Sequence, residues 1–163
     1  MLFELEQIVR CVMLMGFTSW LSIAVVNNVI DRQTNTTLLH RVFSQQLLKE
    51  DPELGNGLLH RALRNLQAAS YVMLGVIFVQ ACIVATLWCG VGAYIYGLVT
   101  GALVEIEFGL LVSTLGLLGA LCMWFFFLCG GLYFGYWIKM PHVQQVHFAL
   151  VIITLQLLFF IQD

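Results

Sequence analysis

The sequence predicts an all-α integral membrane protein: four transmembrane helices, with an interfacial amphipathic helix between the first and the second. Three observations carry that reading. The chain has 163 residues, 61% of them hydrophobic and 10% charged, with a mean hydropathy of +0.93; a soluble domain carries about 25% charged residues. Four separate runs reach the roughly 20 apolar residues that a spanning helix needs. The charge gathers in one polar insert, residues 31–67, which holds five of the seven basic residues (Arg32, Arg41, Lys49, Arg61, Arg64) and four of the nine acidic ones (Asp31, Glu50, Asp51, Glu53). A soluble fold of this size has nowhere to hide so much apolar surface, so the excess faces lipid or partner subunits. Residues 1–163 read as a single four-helix transmembrane domain, with 31–67 as its extra-membrane insert.

Composition also removes function classes. The net charge of -2 and the lack of a basic stripe leave nothing for a nucleic acid to recognise. Cys11, Cys82, Cys89, Cys122 and Cys129 all sit in apolar runs and form no Cys-x-x-Cys pair. That spacing suits neither a disulfide framework nor a zinc site. Glu4 and Glu6 precede Arg10 and no small-x-small cleavage site follows. The first apolar run is therefore a retained span rather than a cleaved signal.

The first span runs from about Ile8 to Ile30 and closes on Asn27, Asn28 and Asp31. In the insert, Asn35, Thr36 and Thr37 are N-cap types, and Asp51-Pro52 is a stop. Between them Leu38, Leu39, Val42, Phe43 and Leu47 share one helical face, with Arg41, Ser44, Gln45 and Lys49 mostly on the other. This is the amphipathic helix, lying at the interface. A second helical start follows Asn56-Gly57, with Leu58, Leu59, Ala62, Leu63 and Leu66 as its apolar side, and runs toward the second span.

The second span extends from near Ala68 to near Gly92, and the third from about Phe108 to Leu132. The glycine-rich stretch Ala93 to Glu107 joins them. The link Tyr133 to Gln145 leads to a fourth span, Val143 to Ile161. Four spans put both termini on one side. His40 and His60 in the insert, His142 in the link and His147 just inside the fourth span then meet at the opposite face.

Two kinds of polar residue stand out. At the insert face Leu38-Leu39-His40-Arg41 recurs as Leu58-Leu59-His60-Arg61. This reads either as paired clamps for an anionic lipid head group or cofactor carboxylate, or as two amphipathic helices drawing on the same residue types. Asn27, Asn28 and Asp31 either close a helix-to-loop junction or join that site. Deeper in, Gln80 and Gln156 fall at a similar depth, roughly 18 Å into their spans, with Thr18 and Ser19 level with them. Amides in hydrocarbon need partners, at about 0.6 to 2 kcal/mol each, so Gln80 and Gln156 are expected to meet each other, Thr18 or Ser19.

Small residues recur at sevens: Ala68, Gly75, Cys82 and Cys89 on the second span, Gly109, Gly116 and Gly130 on the third, with Cys122 and Cys129 at the same spacing. Such seams let backbones approach closely, which makes the cysteines packing residues rather than metal ligands. Glu105 and Glu107 suit the N-terminal dipole of the third helix. No carboxylate, lysine or arginine stands mid-membrane, which argues against a proton pump or charged channel. No P-loop, zinc-protease helix or nucleophile elbow is present. No catalytic or metal-ligating residue is assigned.

The residues Val26-Asn27-Asn28-Val29-Ile30-Asp31, Asn35, His40-Arg41-Val42, Leu59-His60-Arg61-Ala62-Leu63, Gly130-Gly131-Leu132-Tyr133-Phe134, Trp137, Gln144-Gln145 and Asp163 carry a resemblance. The chain resembles the bacterial predicted small integral membrane proteins catalogued as domain-of-unknown-function family 2165, over nearly its whole length. The resemblance implies a four-helix inner-membrane protein with an extra-membrane segment after helix one, and no catalytic residues. Leu132 and Tyr133 stand where that family often has glutamate and tryptophan, and Ala93 to Glu107 lacks its usual basic residues.

Orientation is pulled both ways. Insert and link carry six Lys and Arg against Arg10 alone opposite, which by the positive-inside rule makes the insert cytoplasmic. The family pattern points to a periplasmic insert, and the reading leans that way. For function, one expectation is a non-catalytic accessory or stabilising subunit beside other integral membrane proteins. The alternative is a protein binding a lipid, quinone or haem at Asn27, Asn28, Asp31, His40, Arg41, His60, Arg61 and His147.

Overall fold

A computed structural model describes residues 2–50, 53–63, 65 and 67–162 of the protein, with side chains from Leu5 onward. Expectations resting on Asp51-Pro52, Arg64, Leu66, Asp163 and the Glu4 side chain lie outside them. The described helices are α1 (Leu2–Ile30), α2 (Arg32–Phe43), α3 (Gln46–Lys49), α4 (Gln67–Thr100), α5 (Leu103–Phe134) and α6 (Pro141–Gln162), with 3₁₀ turns at Asn56–Arg61 and Tyr136–Ile138. Of these, α1, α4, α5 and α6 are long and apolar enough to cross a membrane. The chain is a small integral membrane protein of the all-α class.

Each long helix forms because hydrocarbon leaves the backbone no partner but itself. Proline does not interrupt any of them: Pro141 stands at the first position of α6, where the missing N–H would have had no acceptor. The spanning helices follow one another around the bundle. α1 packs on α4, α4 on α5 and α5 on α6, while α6 returns to α1 with a lighter contact. The buried stripe of α1 is Gln7, Arg10, Leu14, Phe17, Thr18 and Leu21, a spacing of three and four that marks one helical face.

The tightest pairing is α4 with α5. Gly97 lies so close to α5 that a Cβ there would stand 2.6 Å from the Ile106 nitrogen. A Cβ on Gly109 would stand 2.7 Å from the Tyr94 Cα, and one on Gly116 2.7 Å from the Leu87 side chain. Between the two helices Gly101 turns the chain at φ 71°. The Ala102 N–H then reaches back to the Gly97 carbonyl at 3.1 Å, the long bond of a Schellman cap.

This corrects the expected connection. Ala93 to Glu107 is almost entirely helical, and the link shrinks to Gly101 and Ala102. The glycines serve helix contact there instead of forming a loop. The expected seam on α4 is also displaced. Gly75, Cys82 and Cys89 are exposed, and nothing lies within 4 Å of a Cβ on Gly75. The buried residues are Ala69, Ile83, Gly90 and Gly97, one position further on. One residue turns a helix by about 100°, so that single step exchanges the lipid face for the packed one. On α5 Gly109 and Gly116 are buried as read, Gly130 faces open space, and Cys122 and Cys129 are exposed.

The insert differs in two details. Asp31, not Asn35 to Thr37, caps α2: its carboxylate accepts from the Thr34 N–H at 3.2 Å. α2 ends at Phe43, because Gln45 takes a left-handed conformation at φ 52°, so Leu38 to Leu47 is not one continuous face. The second start does begin at Asn56, yet Ala62 is extended and α4 begins afresh at Gln67, whose N–H is capped by the Asn65 side chain at 2.9 Å.

Two glycines separate the observed seam from the expected one. Gly109→Ala should destabilise the bundle by about 1 to 3 kcal/mol through overpacking. Gly75→Ala should leave it unchanged or stabilise it by about 0.5 to 1 kcal/mol, as alanine restores helix propensity in open space. Thermal unfolding in detergent, followed by helical circular dichroism, distinguishes the two.

Candidate functional site

The insert face is organised by Asn28. Its Nδ2 donates to Gln80 Oε1 at 2.8 Å, and its Oδ1 accepts from Asn35 Nδ2 at 2.8 Å. One side chain thus ties α1, α2 and α4. Gln80 is buried, which makes the bond to it costly to lose. Gln80 does not meet Gln156. The expected layer counted depth along α4 from Ala68, but Asn28 at the end of α1 is level with Gln80. About 20 Å of α4 therefore runs past the end of α1, and α2 packs against α4.

The other end of the insert is fastened to α5. An α-helix leaves its last carbonyls without partners, and two insert side chains supply them. Gln45, buried, donates from Nε2 to the Phe134 carbonyl at 3.1 Å. Arg61 donates to the Tyr133 carbonyl at 3.0 Å and lies 5.0 Å above the Tyr133 ring. A guanidinium at a helix C-terminus also suits the dipole. The Leu63 N–H closes on the Phe43 carbonyl at 2.8 Å, and the Phe43 and Phe134 rings lie 4.9 Å apart. Leu48 is the buried plug of the insert, set against Gly55 and near Gly135.

The histidines do not converge. His60 and His142 are exposed, and His40 is half-buried with an unpartnered Nε2. His147 Nδ1 lies 3.2 Å from the Tyr136 hydroxyl, with its ring 5.0 Å from Phe127. Burial pushes the Tyr136 phenol above its usual value, so it keeps its proton at neutral pH and remains a donor. Among the described residues no three His, Cys, Asp or Glu side chains come within reach of one metal ion. The two Leu-Leu-His-Arg segments differ in kind, one in α2 and one in a 3₁₀ turn. Asn27, Asp31 and Arg41 are exposed. Arg41, Gln45, Tyr136 and Lys139 border a void of about 10 Å³, room for one water at most.

Of the deeper residues, Thr18 returns its hydroxyl to the Leu14 carbonyl at 2.7 Å. Ser19 is half-buried and Gln156 exposed. Two further ties link α1 and α4. Trp88 Nε1 donates to Ser22 Oγ at 3.0 Å, and Tyr94 donates to the Gln7 side chain. Beside Gln7, Arg10 is buried and paired with Glu6. The first candidate span begins at Leu5 rather than Ile8, so this ion pair lies within it. The sequence reading passed over Gln7 and Arg10, although both sit on the stripe continued by Leu14, Phe17 and Leu21.

The family described as predicted small integral membrane protein, domain-of-unknown-function family 2165, matches residues 6–163, and the chain belongs to it. No curated protein and no solved structure matches the chain.

Asn28→Ala should cost about 1 to 3 kcal/mol, because it leaves the buried Gln80 amide unpaired. Adding Gln80→Leu should recover part of that loss; denaturant unfolding of both variants tests it. Arg61→Ala should free the insert from α5, seen as faster protease cleavage within residues 44–63 while the spans stay intact.

Proposed function

We propose that this member of the family is a non-catalytic accessory or stabilising subunit of a larger membrane complex, acting through contacts inside the bilayer. The observation that carries this is how little of each span the chain covers itself. In the four spanning windows 28%, 22%, 33% and 39% of residues are buried. Even the best-covered helix leaves most of its window to lipid or to another protein. Large side chains such as Phe78, Phe126 and Phe159 point outward.

The polar residues of the insert support the same reading from the other direction. Asn28, Gln45 and Arg61 are engaged in holding helices together. A lipid, quinone or haem site at this face is the competing reading. Against it weighs the void of about 10 Å³, where small-molecule sites measure roughly 300 to 1,000 Å³. We place the protein in the bacterial inner membrane with the insert in the periplasm. A membrane-impermeant maleimide should then label Ser44→Cys in intact cells; labelling only after lysis overturns that placement.

Extraction in mild detergent should bring down other integral membrane proteins in fixed ratio, identified by native mass spectrometry. A preparation free of other proteins under those conditions refutes the accessory-subunit reading. A lipid-soluble molecule lost on Arg61→Ala or His147→Ala would favour the competing one.

A further inference from the structure

α1 and α6 touch more lightly than the other neighbouring pairs of spanning helices. Between them lies a groove of about 440 Å³. Gly16, Phe17 and Trp20 line one wall, and Leu150, Ile153 and Gln156 the other. Gln156 is exposed, and its amide has no hydrogen bond among the described residues. It faces Gly16 and Phe17, which stand at the centre of α1, so it lies near the middle of the bilayer. Water and lipid ester groups are both about half a hydrocarbon thickness away, roughly 15 Å. An amide there needs a donor and an acceptor from something else in the membrane. The other amides at helix contacts, on Gln7, Asn28 and Gln80, already have partners.

We propose that the α1/α6 groove is the face on which two copies of this chain meet, each Gln156 bonded to the Gln156 of the other. Copies inserted in one orientation pair about a two-fold axis along the membrane normal. That axis sets every residue beside it against its own counterpart at the same depth. A primary amide is self-complementary: each N–H donates to the other carbonyl oxygen. The second copy therefore satisfies both halves of the amide with no further molecule. Gly16 opens the opposite wall, since nothing lies within 4 Å of a Cβ built there, and bare glycine lets a neighbouring helix come close. This pairing goes beyond the accessory-subunit reading and does not depend on it.

The test uses the full chain in native membranes, with its five cysteines replaced by alanine. Ile153→Cys, one turn before Gln156 on the same wall, should give a disulfide-linked species of twice the chain mass on mild oxidation. Phe78→Cys, on an exposed part of α4, should not. Gln156→Leu should raise the dissociation constant of the pair roughly 3- to 30-fold, the range of one interhelical amide contact. Gly16→Leu should abolish the cross-link, with unfolding temperature unchanged because the new side chain enters open space. A monomer in native mass spectra, an Ile153→Cys cross-link to a different protein, or a lipid-soluble ligand filling the groove would each overturn the pairing. The accessory-subunit reading is judged separately, by whether other proteins co-purify.

Discussion

In hydrocarbon a polar group has no water to fall back on, and the hydrogen bonds of Asn28 are where this constraint shapes the molecule most. Its amide spends one side on Gln80 and the other on Asn35. Neither bond is strong, since interhelical contacts of this kind average well under about 2 kcal/mol. Their weight comes from what would be left behind, a buried glutamine without a partner. The pair also sets register. Six residues back along α1 is Ser22, and eight forward along α4 is Trp88; they bond as well. Gln7 and Tyr94 extend the ladder toward the termini. α1 is thus held to α4 by spaced polar ties, while the rest of that contact is aliphatic.

The α4–α5 hairpin is held by a different device. Glycines bring the two backbones nearly into touch, and dispersion forces act over the whole length of the contact. The insert joins the two devices. Through Asn35 it is tied to the α1/α4 ladder, and through Gln45 and Arg61 it caps the free carbonyls of α5. Residues that look reactive on paper are therefore structural in place. An arginine beside a tyrosine ring and two carbonyl oxygens of a helix end suggest anion binding from sequence. In three dimensions the arginine's acceptor is the protein's own backbone.

The four spans, the polar insert and its common face with the α5–α6 link were legible, because hydropathy over some 20 residues is a strong signal. Facing was not. Choosing between Gly75 and its neighbours required the helix phase to better than one residue, and every side of α4 is apolar. Periodicity carries no phase information when both faces are greasy. Depth failed for a related reason. Counting from Ala68 to Gln80 measures helix length, and the start of α4 is not the start of the bilayer. The stripe of Gln7 and Arg10 was readable, since it continues Leu14, Phe17 and Leu21 at helical spacing. It was hidden by treating those polar residues as the flank of the span rather than its first two turns.

Sorting the polar groups by whether they are already satisfied gives the clearest statement about function. Those at the insert are engaged, and what they engage is the fold. Arg10 is engaged with Glu6, and Gln7 with Tyr94. A group that is both unsatisfied and accessible in the membrane is different, because association alone can relieve it. Gln156 meets that description, on the seam where the ring of helices is least closed. The apolar surface around it has no preference between lipid and a neighbouring helix, since lipid tails are as apolar as leucine. The amide does have a preference, and it therefore decides which face of an otherwise uniform cylinder becomes an interface.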